Sequence, residues 1–153
     1  MWLDGLDIPL VAFFDAGFME RYPHTTQPVT REMGDSAARY GAGLLPVEYE
    51  PQLLTSPVFS YTYAKTRAAL DQLRRDSNPH PCHGIKMQYT NPATGGPAMP
   101  TMGAFIQWLP GGFHGAAYRS TDATVYCVVE GRGVTHIDGK AFEWLPQDVF
   151  VAP

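Results

Sequence analysis

Tyr118–Pro153, YRSTDATVYCVVEGRGVTHIDGKAFEWLPQDVFVAP, is the stretch whose reading decides the fold. Thr124, Tyr126 and Val128 alternate with Val125, Cys127 and Val129, and β-branched and aromatic types dominate, as on a pleated strand. Glu130-Gly131-Arg132-Gly133 supplies a glycine-punctuated turn, and Val134–Ile137 reads as the next strand. Asp138-Gly139 is a strong two-residue hairpin signal, after which Ala141–Trp144 returns. Pro146-Gln147-Asp148 breaks the run, and Val149–Val151 begins another strand. Short antiparallel strands joined by tight turns predict a β-sandwich or barrel.

Upstream, Lys86–Tyr89 and Met102–Leu109 extend the strand pattern on either side of a Gly/Pro-rich turn, Asn91–Pro100. Tyr61–Asp76 carries the clearest helical signal: Tyr63, Thr66, Leu70 and Leu73 form a stripe, and Asn78-Pro79 ends it. Its Lys65, Arg67, Arg74 and Arg75 read as a solvated face. Between His24 and Pro57 periodicity is absent and breakers abound, which predicts a long irregular connection. Near the start, Asp7 is placed as an N-cap with Pro9 in the first turn. Ile8, Val11, Phe14 and Phe18 then predict a short helix that stops before Tyr22-Pro23, its aromatic face packing on a neighbouring domain.

Composition narrows the function classes. A chain of 153 residues with 44% hydrophobic and 17% charged residues is globular, not disordered. A net charge of −4 with no basic block argues against nucleic acid or an anionic membrane surface as partner. The apolar run Ile8–Phe14 is too short to span a bilayer, and Asp4 and Asp7 after Met1 are unlike a secretory signal. Cys82 and Cys127 make no disulfide framework, so reduced thiols and a cytoplasmic location are expected. His80-Pro81-Cys82-His83 holds ligand types suited to zinc, but no second cluster follows, and the prolines read as an extended lead-in to a strand. His114 and His136 are read as surface or hydrogen-bonded histidines.

Three stretches carry a family resemblance: VVEGRG with its hairpin and PQDVFVAP, WLDGLDIPLVAFFDAGF at Trp2–Phe18, and NPATGGPAMPTMGAF at Asn91–Phe105. The first resembles the cupin jelly roll (double-stranded β-helix). Together they resemble the bicupin ring-cleaving dioxygenases of the gentisate 1,2-dioxygenase type. The fold this implies is mainly β, with a partial C-terminal barrel preceded by a helical connecting region. The chain is then expected to be a fragment, with Met1 an internal methionine. Residues 1–22 would be the tail of the N-terminal cupin with its short helix, 23–83 the inter-cupin connection, and 84–153 the first half of the C-terminal cupin.

What the resemblance implies about chemistry follows from the same motifs. A cupin metal site needs imidazoles at alternate strand positions, so that both rings project from one face. In the gentisate type three histidines bind iron(II), two from an HxH and one from the second motif. Counting back from the glycine of VVEGRG, the HxH positions fall on Tyr118 and Ser120, and the motif's glutamate position on Thr124. A phenol and hydroxyls are poor iron(II) ligands at neutral pH. No metal ligand is therefore expected in this chain, and the parent enzyme's Fe(II) is expected on residues outside it. Asp4, in the WLDG segment, is the implied catalytic and substrate-binding residue, accepting a hydrogen bond from a substrate hydroxyl. Trp2 is implied to line the same pocket. By residue type alone, an aspartate before Gly5 is a turn residue.

The implied function is a fragment of an iron(II)-dependent dioxygenase that converts gentisate and dioxygen to maleylpyruvate, with the isolated fragment inactive. The alternatives are a sister dioxygenase acting on 1-hydroxy-2-naphthoate or salicylate, and a catalytically empty cupin module with a structural or oligomerisation role. Its partners would be an aromatic hydroxy acid and dioxygen, with no nucleic acid and no membrane. Unpaired strand edges predict association into a homo-oligomer.

Overall fold

A computed structural model describes residues 3–153. They fall into two compact units, one of Leu6–Ala116 and one of Ala117–Pro153 with the residues before Leu6. Helices occur only in the first unit, up to Asp76; from Ile85 onward all regular structure is strand.

In the first unit, α1 spans Ile8–Phe13, with Asp7 at the N-cap position and proline in its first turn. The helix ends earlier than the Ile8–Phe18 spacing predicts. Asp15 takes a left-handed conformation (φ 50°), and the Ala16 amide folds back onto the Val11 carbonyl at 3.0 Å. Such a residue closes a helix as an αL cap does. Phe13 and Phe18 are 82% and 93% exposed, so the aromatic face rests on nothing in its unit.

The stretch read as structureless contains α2, Asp35–Tyr40. Gly34 and Gly41, taken as breakers, bracket it instead, Gly34 at φ 83° before its first residue. Its carboxylate Asp35 is gripped by Arg39 at 2.8 Å and Arg31 at 3.2 Å. The Arg39 hydrogen bond first, and the two positive charges with it, hold the Asp35 carboxyl below the usual carboxylate range.

α3 covers Tyr63–Asp76, where the helical stripe was expected, and lies against the hairpin pair β1 and β2. β1 (Ile85–Gln88) and β2 (Phe105–Trp108) are antiparallel, with Ile85 opposite Trp108. Leu70 of the stripe and Ile85 at the head of β1 are buried, as is Val58. Arg74 is not a purely solvated residue: its guanidinium lies 4.9 Å over the Trp108 ring. A cation on an indole face gains from the ring quadrupole and covers apolar surface with its stem.

Asn91 organises the connection between β1 and β2. It is fully buried; its side-chain oxygen accepts the Ala93 amide at 2.9 Å and its side-chain nitrogen donates to the Leu54 carbonyl at 3.2 Å. A buried amide is tolerated only when so satisfied. Beside it, the Tyr61 hydroxyl donates to the Thr90 carbonyl at 2.6 Å, and the Ser56 amide to the Ala98 carbonyl at 2.8 Å. These bonds fasten the irregular arm to the sheet.

Gly84 closes the His80–Gly84 turn through reciprocal backbone bonds of 2.8 and 2.9 Å. Its φ is +61°, and a Cβ there would collide with the Trp108 carbonyl oxygen. Gly84→Ala combines left-handed strain with a clash against backbone that cannot yield. It is expected to cost about 3 kcal/mol, read as a lowered urea midpoint of the full-length protein at unchanged slope.

In the second unit β3 (Thr124–Cys127) pairs with β6 (Val149–Ala152), and β4 (Gly133–Ile137) with β5 (Lys140–Trp144), all antiparallel. The Asp138-Gly139 turn has positive φ at both positions, 49° and 75°. That is the twist of a type I′ hairpin, which matches the strands it joins. Tyr126 and Phe150 are register partners with rings stacked at 4.9 Å. The Trp144 indole lies on Gly133, where a side chain would not fit, and donates to the Thr135 hydroxyl at 3.0 Å. Among the described residues the strands form three two-stranded sheets and no closed barrel. No helix among them is long and apolar enough to cross a membrane.

Candidate functional site

Asp4 stands in irregular, exposed chain ahead of Gly5. Trp2, expected beside it, lies outside the described residues. Three residues on, Asp7 occupies the N-cap position of α1 but makes no side-chain cap bond. Its Oδ2 instead accepts a hydrogen bond from the Thr101 hydroxyl at 2.6 Å, across 94 positions of sequence. Asp7 and Thr101, which belong to two stretches noted separately in the sequence, therefore meet at this bond.

The positions expected, from the resemblance, to correspond to cupin metal ligands are Tyr118, Ser120 and Thr124. Ser120 and Thr124 are both engaged by Asp122: the Ser120 hydroxyl is hydrogen-bonded to Oδ1, and the Thr124 hydroxyl donates to Oδ2 at 3.2 Å. Sequence reasoning passed over Asp122, which lies two residues from each hydroxyl and, at the bend Thr121–Asp122 ahead of β3, reaches both. The arrangement is an exposed hydroxyl–carboxylate cluster in which one Asp122 oxygen faces each hydroxyl. Among the described residues no three His, Cys, Asp or Glu side chains converge on a point that could hold a metal ion. Tyr118, Ser120 and Thr124 offer hydroxyl oxygens and no imidazole or carboxylate, a donor set that does not fit an iron(II) centre.

The His80 and His83 rings stack in parallel, centroids 3.8 Å apart, and His80 Nδ1 accepts the Cys82 amide at 3.2 Å. Cys82 and Cys127 are not disulfide-bonded. Partial desolvation first, then the positive neighbours His80 and Lys86, push the His83 imidazole below its ordinary value. The folded chain binds a proton there less readily than the unfolded chain does. The resulting stability is complete above the unfolded imidazole pKa of about 6.5 and is lost as pH falls below it. Urea unfolding of the full-length protein is expected to weaken on acidification through that range, and His83→Gln to flatten the dependence.

No family model matches the chain. Individual relatives do. A gentisate 1,2-dioxygenase of Aquipseudomonas alcaligenes is 50% identical over all 153 residues, which cover 44% of that protein. The chain is thus similar in sequence, along its whole length, to part of a gentisate 1,2-dioxygenase. Another relative, a 5-aminosalicylate 1,2-dioxygenase of Comamonas, is 37% identical over the whole chain, which covers 41% of that protein. The crystal structure of a salicylate 1,2-dioxygenase from Pseudaminobacter salicylatoxidans superposes with a TM-score of 0.68 at 26% identity, over 96% of this chain and 44% of that one. The likeness upholds the cupin-type fold expected from the VVEGRG region. The chain spans less than half the length of the curated relatives it matches.

Proposed function

We propose that this chain is part of an iron(II)-dependent aromatic ring-cleaving dioxygenase that converts gentisate and dioxygen to maleylpyruvate. The observation that carries the proposal is a likeness to gentisate 1,2-dioxygenase through every segment of the chain, helical arm and strands alike. In this reaction both oxygen atoms enter the product as one ring carbon–carbon bond breaks, between the carboxyl-bearing and the adjacent hydroxyl-bearing carbon. The iron is assigned to residues outside this chain. Within it, Asp4 accepts a hydrogen bond from a substrate hydroxyl and assists its deprotonation, and Trp2 lines the same pocket. Division at residues 22 and 83 into cupin tail, connection and half-cupin belongs to the same proposal, as do a cytoplasmic location and a homo-oligomeric state.

A second function is favoured by Ser120, Asp122 and Thr124. Asp122 engages both hydroxyls, Ser120 and Thr124, that stand where the resemblance puts a working cupin's ligands, which suits a catalytically empty module that supports a neighbouring active site. The two functions are compatible in one polypeptide. The test is the full-length protein, purified with iron(II) and supplied with gentisate, salicylate or 1-hydroxy-2-naphthoate under isotopically labelled dioxygen. Oxygen uptake with gentisate and two labelled atoms in the ring-opened product are expected. Preference for another of the three acids would reassign the substrate, and no uptake with any would leave only the structural role.

A further inference from the structure

We propose that the stacked imidazoles of His80 and His83 form a proton-released clasp. With both rings neutral they hold the tip of the His80–Gly84 turn, and that tip holds Phe113–Ala116, the last segment of its unit. The clasp does not depend on the proposed reaction.

The tip is fixed by groups that must be uncharged. His80 Nδ1 accepts the Cys82 amide at 3.2 Å, so that nitrogen presents a lone pair and carries no proton. A proton placed there sets one N–H donor against another. The two rings lie face to face, centroids 3.8 Å apart and planes 13° from parallel. Neutral imidazoles tolerate that approach, whereas two imidazolium ions repel across it. His83 already resists a positive charge, through desolvation first and then the charges of His80 and Lys86. Of the elements packed about the turn, β1 brings the ionisable Lys86, and Cys82 stands in the turn itself. β2 and the residue after it bring Gln107, Trp108 and Leu109, none of them ionisable.

What the tip holds follows from its carbonyls. The Pro81 carbonyl accepts the Ala116 amide at 2.8 Å, and the His83 carbonyl accepts the Gln107 side-chain amide at 2.9 Å. Phe113–Ala116 is neither helix nor strand, and Ala116 is where its unit ends. Two backbone bonds, Phe113 to Pro110 at 3.1 Å and Ala116 to Pro81, stand in for a ladder there. The ends of the turn are closed by the reciprocal His80–Gly84 bonds, which contain no titrating group. Acid therefore acts on the tip, and through the Pro81 carbonyl on the segment that leans on it. Imidazoles change charge in the range where such a device would work.

The test is hydrogen exchange of the full-length protein read by mass spectrometry. Each rate is referred to that of an unstructured peptide at the same pH, because the exchange chemistry itself slows in acid. Between about pH 7.5 and about pH 5.5, protection of peptides covering the turn and Phe113–Ala116 is expected to fall roughly 2- to 10-fold, the worth of one hydrogen bond. Peptides from α3 should keep theirs. His80→Asn keeps an acceptor near the Nδ1 position without an imidazole, and with His83→Gln it removes both titrating rings. That double variant is expected to hold its protection across the range. Unchanged protection in the wild type would overturn the clasp, as would an equal fall in α3. A double variant that loosens as the wild type does would also overturn it, and would pass the effect to His114, which lies in the held segment and is unaltered. If the double variant does not fold, His80→Asn alone decides by the same criteria.

Discussion

Asp4→Ala in the full-length protein is expected to lower kcat for gentisate by roughly 100-fold or more while leaving bound iron near its wild-type amount. General base assistance by a placed carboxylate contributes on the order of 100- to 10,000-fold, and the proposed role of Asp4 is such assistance to a substrate hydroxyl. Asp4 is exposed and lies outside every helix and strand. Its removal therefore leaves no cavity, and Tm should hold. Parallel turnover and metal analysis separate the possibilities. Equal loss of iron and activity would move Asp4 into the metal shell. Unchanged kinetics would return it to being the turn residue that its neighbour Gly5 suggests.

The 153-residue chain on its own is expected to show no cooperative melting transition and to associate at micromolar concentration. Among the described residues the buried apolar side chains are Val58, Leu70 and Ile85. Phe13, Phe14, Phe18, Met19, Leu53, Leu54 and Phe59 all face water, as do Val125, Val149 and Val151 in the strands. Burying one large apolar side chain fully is worth about 1.5–3 kcal/mol, and an ordinary domain keeps only about 5–15 kcal/mol in reserve. A handful of such exposures thus amounts to a whole margin. Differential scanning calorimetry with light scattering is the check. A sharp, reversible endotherm from a monomer would show that these surfaces cover one another in a way the structure does not display.

What was legible in the sequence is what depends on near neighbours. Asp138-Gly139 is readable because a type I′ turn needs left-handed backbone at both positions, and these two residue types supply it. Tyr63–Asp76 is readable because its stripe repeats at helical spacing and Leu70 is buried on that face. The features that escaped depend on distant partners or on chemistry hidden by a residue's usual role. Arg74 reads as solvated because Trp108, on which it rests, is remote in sequence. Gly34 and Gly41 read as breakers because only the Arg31–Asp35–Arg39 grip reveals the six-residue helix between them. Asp7 reads as a cap, and nothing local announces Thr101. Of the candidate site, Asp4 owes its place to family resemblance, since its own surroundings single out no chemistry. Asp122 could have been found by reading Ser120 and Thr124 together instead of asking only whether each was a ligand.

The β3–β6 pair encloses the β4–β5 pair, one hairpin nested inside the other. This order has a kinetic consequence. The inner ladder runs from Ile137 opposite Lys140 to Gly133 opposite Trp144, closing over two residues. Contacts so local form on the microsecond scale. The outer ladder must bring Cys127 to Val149, and from an unstructured chain that closure carries the entropy of the whole intervening loop. Once the inner hairpin has formed, only the short flanks Val128–Arg132 and Leu145–Asp148 remain free, and the backbone bonds from Val128 to Asp148 and from Gln147 to Val128 bridge them. The strands should therefore zip outward from Asp138-Gly139. Replacing that turn with residues that resist left-handed backbone would slow assembly of the pair that carries Tyr126 and Phe150, well away from the altered site.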